Sequence, residues 1–412
     1  MSNPVAMSQP AAAEPEPAAP ACRIMPPAHG LRGHAALPAA PEAACLAMAL
    51  AALSAGRSTL SNLPDGPETQ HLAAGLRALG AEVVSLAPGV WRIAGRGIGG
   101  LVEPAAVLRA GGSAMVAGLL GGLAAGHPVF AVLEALPGLC FGTLAQSLSA
   151  VGARVAGRAG HRPPLAIQGA ADPLPAEGPV SRDLAPPLLL AGLAARGHTH
   201  LRLPGPAPHP AEALLRCFGA VLDAGTVAAG RHLTLRGQPE LHAVTHALPP
   251  DPLAAAAALL AASLVPGSEL RAPGADPGLL AALRALGADI GDGTARHAPL
   301  RGAVLQAGAL PEGALPLLAT ACAFARGPSR LCGAAADPAA AATLALLATQ
   351  GATARQDGDN LILSGTAPPP GGGHTTLKEH GIMMSAWVIG LAAPGGAGID
   401  GLLPPVLLGL GA

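Results

Sequence analysis

Hydrophobic and polar positions along this chain fall into two textures. Long Ala/Leu runs such as Pro187–Ala195 and Leu253–Pro266 are apolar on almost every helical face, which predicts helices buried all round. Between them lie short β-like runs, Thr199-His-Leu-Arg-Leu203, His232-Leu-Thr-Leu235 and Asn360-Leu-Ile-Leu363, each bounded by Gly or Pro, which predict strands. A third pattern orders the other two. A Leu-rich helical segment that ends in a Gly-Ala turn and enters a short strand recurs five times, with its glycine at Gly80, Gly152, Gly219, Gly287 and Gly351. The glycines are 64 to 72 residues apart, too long a period for a helical solenoid and suited to a compact α/β unit of a few strands and two helices. Each sits where a helix C-cap needs a left-handed residue. The prediction is an α/β fold of repeated units, with buried helices inside and sheets outside, forming pseudo-symmetric globes.

Composition narrows the class. At 412 residues the chain is long enough for two or three domains with a substantial core. Charged residues make up 12%, about half the usual share. With four Phe, two Trp and no Tyr, core volume must come from small side chains packed closely. A net charge of −1 without a basic run argues against a nucleic-acid or anionic-membrane partner, and there is no aromatic stacking platform. The six cysteines are far apart, without a C-x-x-C pair, and predict buried reduced thiols in a cytoplasmic protein. Residues 1–22 are Ala/Pro-rich, without a basic start followed by an apolar run, and predict a flexible tail. The longest apolar stretch, Leu253–Pro266, is too short to span a bilayer, so a soluble protein is expected.

Several framework segments, in this order and at these distances, carry a family resemblance. They are Leu53-Ser-Ala-Gly-Arg-Ser-Thr-Leu60, Gly99-Gly-Leu-Val-Glu-Pro104, Ser113-Ala-Met115, Leu188-Leu-Leu-Ala-Gly-Leu193, Leu264-Val-Pro-Gly-Ser-Glu-Leu270, the run Leu279–Ile290, Pro299-Leu-Arg-Gly302 and the run Leu315–Gly327. From Arg23 onward the chain resembles the 5-enolpyruvylshikimate-3-phosphate synthase (3-phosphoshikimate 1-carboxyvinyltransferase) family. The resemblance implies the enolpyruvyltransferase fold: two globes, each of three βαβαββ units, forming an inside-out α/β pseudo-symmetric barrel, with ligands in the cleft between them. The boundaries it implies are 38–245 for the first globe and 23–37 plus 247–412 for the second.

The chemistry implied is transfer of the enolpyruvyl group of phosphoenolpyruvate to shikimate 3-phosphate, a shikimate-pathway step toward aromatic amino acids, with no cofactor. Both substrates are anions, so the cleft needs convergent Lys and Arg plus groups that move protons. Here the chain departs from its family. It holds a single lysine, Lys378. The expected lysine falls on Pro41 within Pro38–Glu42, the following arginine on Leu46, and the Arg-Pro pair that helps hold phosphoenolpyruvate on Leu139-Cys140. The acidic pair before the Leu315 helix falls on Gly313-Ala314, the Lys-Glu-Ser-Asp-Arg segment on Ala335–Ala339, and the Asp-His-Arg triplet on Glu379-His380-Gly381. The terminal Asp-Pro...Lys segment shrinks to Asp400–Pro404. The residues that resemblance leaves for substrate binding are Gly112, Ser113, Ser181, Asp183 (in place of a glutamine), Lys378, Glu379 and His380; Asp251 also persists. None is assigned a catalytic role.

Two rescue routes remain on the sequence. Gly111-Gly-Ser113 places backbone N–H groups at a helix start, an anion site without side-chain charge, although a plain turn and N-cap is the preferred reading. Arg182 beside Ser181 offers a displaced cation, although on a strand it would point the other way and sit on the surface. The pairs His198/His200 and His242/His246 have metal-ligand spacing, but no cysteine or carboxylate lies near them at ligand spacing. The expectation is a protein of this fold with little or no activity, binding phosphoenolpyruvate or shikimate 3-phosphate weakly, or a protein partner or less charged ligand instead. The alternative is a divergent but active shikimate-pathway transferase.

Overall fold

The computed structural model describes residues 23–399 apart from 137, 228, 229, 309, 366, 367 and 376–378. The tail expected over 1–22, Lys378 and the Asp400–Pro404 segment lie outside the described residues.

Eleven helices are described: α1 (Pro41–Leu53), α2 (Pro67–Ala78), α3 (Ala114–Ala125), α4 (Gly142–Ala150), α5 (Ala185–Ala194), α6 (Pro210–Cys217), α7 (Pro252–Leu264), α8 (Pro277–Ala285), α9 (Leu315–Phe324), α10 (Ala340–Thr349) and α11 (His380–Ala392). Strands among the described residues form five four-stranded sheets and one three-stranded sheet. The third sheet shows the repeating plan. Glu177–Pro179 runs parallel to His198–Leu203, which pairs antiparallel with Gly230–Arg236, which closes a hairpin with Leu222–Val227. Helix α5 joins Glu177–Pro179 to His198–Leu203, and α6 joins His198–Leu203 to Leu222–Val227.

In two sheets the parallel edge strand comes from a distant part of the chain. Thr245–Ala247 pairs with Ala55–Ser61, and Arg32–His34 pairs with Glu269–Arg271. The chain thus passes twice between two halves, and each passage leaves one strand behind. Asp251 N–H donates to Pro38 O at 2.8 Å, tying the two passages together.

Two separate hydrophobic cores result. One runs from Ala39 to Leu248 around α1, α3 and α5; the other combines Met25–Leu37 with residues from Leu253 to Ile399 around α7, α9 and α11. The inner helices carry few polar side chains because they have almost no solvent face: every residue from Ala254 to Ala262 is fully buried. Small residues let them approach closely. A Cβ on Gly122 of α3 would come within 2.3 Å of Pro187 O on α5. The outer helices α2, α4, α6 and α8 each bury one stripe and expose the other.

The five repeat glycines all have left-handed φ, from 77° to 98°, at the turn after an outer helix, as the sequence predicts. The cysteines differ from expectation: Cys45 and Cys322 are buried, but Cys217 and Cys332 are half-buried and Cys140 is exposed, because they flank turns rather than inner helices. No described helix is long and apolar enough to cross a membrane.

Candidate active site

The N-terminal ends of α1, α5, α7, α9 and α11 meet where the two cores adjoin. At the start of α7, Asp251 is the N-cap: its Oδ1 accepts from Leu253 N at 2.9 Å, and Pro252 follows in the first turn, where a missing N–H costs nothing. Its other oxygen, Oδ2, lies 2.5 Å from Nε2 of His380, the first residue of α11. Gly381 lets α11 start close against the entrance to α9, since a Cβ there would fall 2.2 Å from Gly313 O. Asp251 is 4% exposed and His380 23%. Burial alone would push the Asp251 carboxyl up, but the His380 hydrogen bond and charge outweigh it and hold the group below the usual carboxylate range. Burial likewise opposes charge on His380, yet Asp251, with Glu42 at the start of α1 and Glu68 at the start of α2, raises its pKa above the ordinary value. The result is a hydrogen-bonded Asp251–His380 pair in an acidic surround.

Arg182 is a further cation at this junction, and the expectation of a surface arginine is corrected. Residues Arg182–Leu184 form a 3-10 turn leading into α5, not a strand, so alternation does not apply. Its side chain is 12% exposed and crosses to the other half, where Nε donates to Glu312 Oε2 at 2.9 Å. Nη1 donates to Pro204 O and Ala207 O, and Nη2 to Pro208 O. Glu312, just before α9, carries no sequence signal that separates it from a loop residue.

Ser113 caps α3, accepting from Val116 N at 3.3 Å, while Gly111 is left-handed and the His71 ring packs against it; this is the turn and N-cap reading. Gly112, Ser181, Asp183 and Glu379 are exposed, and Glu379 occupies the N-cap position of α11 without a side-chain cap bond. His198, His200 and His232 stack on the outer face of the third sheet, with ring centroids 6.2 and 5.9 Å apart. Among the described residues no group of three or more His, Cys, Asp and Glu side chains is placed to hold a metal ion.

A family profile described as EPSP synthase (3-phosphoshikimate 1-carboxyvinyltransferase) matches residues 27–402. The chain belongs to this family. It is 39% identical to the 3-phosphoshikimate 1-carboxyvinyltransferase of Granulibacter bethesdensis over 84% of each chain, and 37% identical to that of Acidiphilium cryptum over 91% of each. The EPSP synthase structure from Acinetobacter baumannii superposes with a TM-score of 0.73 at 24% identity, covering 92% of this chain and 93% of that one. The enolpyruvyl transferase NikO from Streptomyces tendae gives 0.68 at 19% identity, covering 95% of each. These likenesses carry the enolpyruvyltransferase fold.

The positions on which the resemblance places the family's charged residues lie as follows. Pro41 occupies the first turn of α1, beside exposed Glu42. Leu46 is 3% exposed inside the first core. Leu139 is half-buried, and exposed Cys140 donates its thiol to Gly160 O at 3.2 Å. Gly313-Ala314 packs under Gly381 and Leu253. Ala334–Ala336 is a 3-10 turn without a charged side chain.

Proposed function

We propose that this EPSP synthase-family protein catalyses carboxyvinyl transfer from phosphoenolpyruvate to shikimate 3-phosphate little or not at all, and that its cleft binds these anions weakly. One observation carries the reading: where the family resemblance expects a lysine, Pro41 opens α1, and the next side chain, Glu42, reverses the charge at a junction already holding Glu68, Asp251 and Glu312. One general acid or base is worth roughly 10²–10⁴ in rate, and one partner of a buried charge pair about 2–5 kcal/mol in binding. Even heavily discounted for non-additivity, several such losses leave little turnover. Residence in the cytoplasm belongs to the same proposal and is supported by the free thiols.

A second reading, a divergent but active transferase, is favoured by the Asp251–His380 pair, which keeps a proton-carrying group at the junction, and by relatives named as carboxyvinyltransferases. The deciding experiment is phosphate release from phosphoenolpyruvate with shikimate 3-phosphate, beside calorimetric titration of each ligand. The proposal expects millimolar dissociation constants and no phosphate above the protein-free control. Micromolar binding with steady turnover establishes the second reading.

A further inference from the structure

Arg182 is built to hold an anion and is held by one that belongs to the protein. A guanidinium has five N–H donors in a rigid planar fork. Three of Arg182's hydrogen bonds go to main-chain carbonyls of one loop, Pro204 O at 3.3 Å, Ala207 O at 3.2 Å and Pro208 O at 3.0 Å. The same loop grips its backbone as well. His209 Nδ1 accepts from Ala211 N at 3.1 Å, which leaves the proton on Nε2 to be donated to Arg182 O, also at 3.1 Å. Glu212, 3% exposed and paired with Arg231 at 2.6 Å, accepts from His209 N and completes that anchor. The guanidinium is therefore oriented by its own half of the molecule.

Glu312 is not so constrained. It reaches over from the other half, its side chain is 67% exposed, and its described contact with Arg182 is the single 2.9 Å bond to Nε. An exposed carboxylate on a preoriented arginine is a removable partner, worth about 0–1 kcal/mol in such pairs. Glu312 holds the Nε end of the Nε–Nη2 edge, the edge that carboxylates and phosphates take bidentately.

We infer that Arg182 is the oxyanion-binding residue of this cleft, and that Glu312 is a resident competitor which an incoming carboxylate or phosphate displaces. The inference rests on reading the junction as the ligand cleft but not on whether turnover occurs. Arg182 then supplies one of the cations missing at the family positions, from the position next to Ser181.

The test is calorimetric titration of phosphoenolpyruvate, inorganic phosphate and pyruvate into the intact protein and into Glu312→Gln and Arg182→Gln. Removing the competitor is expected to tighten phosphoenolpyruvate binding roughly two- to five-fold. Arg182→Gln is expected to weaken it at least about tenfold. Comparing phosphate with pyruvate tells which end of the ligand the fork takes. Equal or weaker binding by Glu312→Gln overturns the inference, as does unchanged binding by Arg182→Gln, or no binding by any form at tens of millimolar ligand. If Arg182→Gln does not fold by circular dichroism, the Glu312→Gln ratio decides alone. Micromolar wild-type affinity with turnover would overturn the proposed loss of activity yet leave these ratios to be read independently.

Discussion

At the residue scale, two histidines, buried His209 and half-buried His380, respond to acid in opposite directions. His209 is pushed down to about 4, first by burial and then by the Arg182 charge, so it is neutral in the folded protein at pH 7. A histidine whose folded pKa lies below its unfolded value contributes stability that is complete above about 6.5 and is lost as pH falls through the folded pKa. His380 is raised, so its contribution is complete below the unfolded value and is lost as pH climbs through the folded one; Asp251, held low, loses its share only in stronger acid. His209→Asn keeps an N-cap acceptor on α6 and removes the imidazole. It is expected to flatten the loss of stability between pH 7 and pH 4.5 by up to about 3 kcal/mol. Asp251→Asn should cost most near pH 5–6 and progressively less above pH 7, with the His380 C2–H resonance titrating at lower pH. Urea midpoints at several pH values measure both. A profile for His209→Asn parallel to wild type would show that the imidazole is not the acid-sensitive group.

At the element scale, stability depends on how closely the inner helices approach. Gly122 has Pro187 O and Cα within 2.3 and 2.7 Å of where its Cβ would stand, and both are backbone atoms that cannot rotate away. Gly122→Ala gains up to about 1 kcal/mol of helix propensity but overpacks the α3–α5 contact by about 1–3 kcal/mol, so net destabilisation is expected. Gly225→Ala, with nothing within 4 Å, is the control and should move the urea midpoint far less. Equal effects would place the cost in the backbone and not in the contact.

The elements were the most legible part of the sequence, for a local reason. A C-cap glycine after a Leu-rich helix reports its own φ, and all five repeat glycines are left-handed. A second repeat stayed hidden. Gly95, Gly169, Gly237 and Gly365 each lie at or just after the last strand of a unit; for the first three a carbonyl at the C-terminal end of the inner helix stands within 2.2 Å of a built Cβ, and for Gly365 the Ala325 and Gly327 carbonyls at the end of α9 and in the turn after it stand at 2.6 and 2.0 Å. Their requirement comes from the tertiary approach of strand and helix, which the flanking residues do not record. The site was legible as a list of absences, since Pro41 and Leu46 stand where cations are expected. What replaces them was not. The Arg182–Glu312 bond joins residues 130 apart in sequence, and strand alternation puts Arg182 on the surface where the chain in fact makes a 3-10 turn.

At the scale of the whole molecule, two electrostatic terms oppose each other at the junction. The inner-helix N-termini that meet there each contribute roughly half a positive charge, which favours an anion. Glu42, Glu68 and Glu312 work against it, and the compact cation that would balance them is absent from α1, whose first residue is Pro41. If the loss of function is distributed over the cleft, restoring one cation should restore binding without chemistry. Pro41→Lys with Glu42→Ser replaces a neutral and a negative side chain by a positive and a neutral one at the first turn of α1. The lysine costs about 0.3–1 kcal/mol against the helix dipole, whereas a charge-assisted hydrogen bond to the ligand supplies about 1.5–3 kcal/mol. Phosphoenolpyruvate affinity is therefore expected to rise by about tenfold. Removing the Glu42 charge should also lower the His380 pKa, because that carboxylate helps to raise it. Turnover is expected to stay at the control level, since Leu46 remains inside the first core and Gly313-Ala314 still lacks a carboxylate. Phosphate release by this double variant would instead mean that a single lesion silences the protein and that the rest of the cleft is intact.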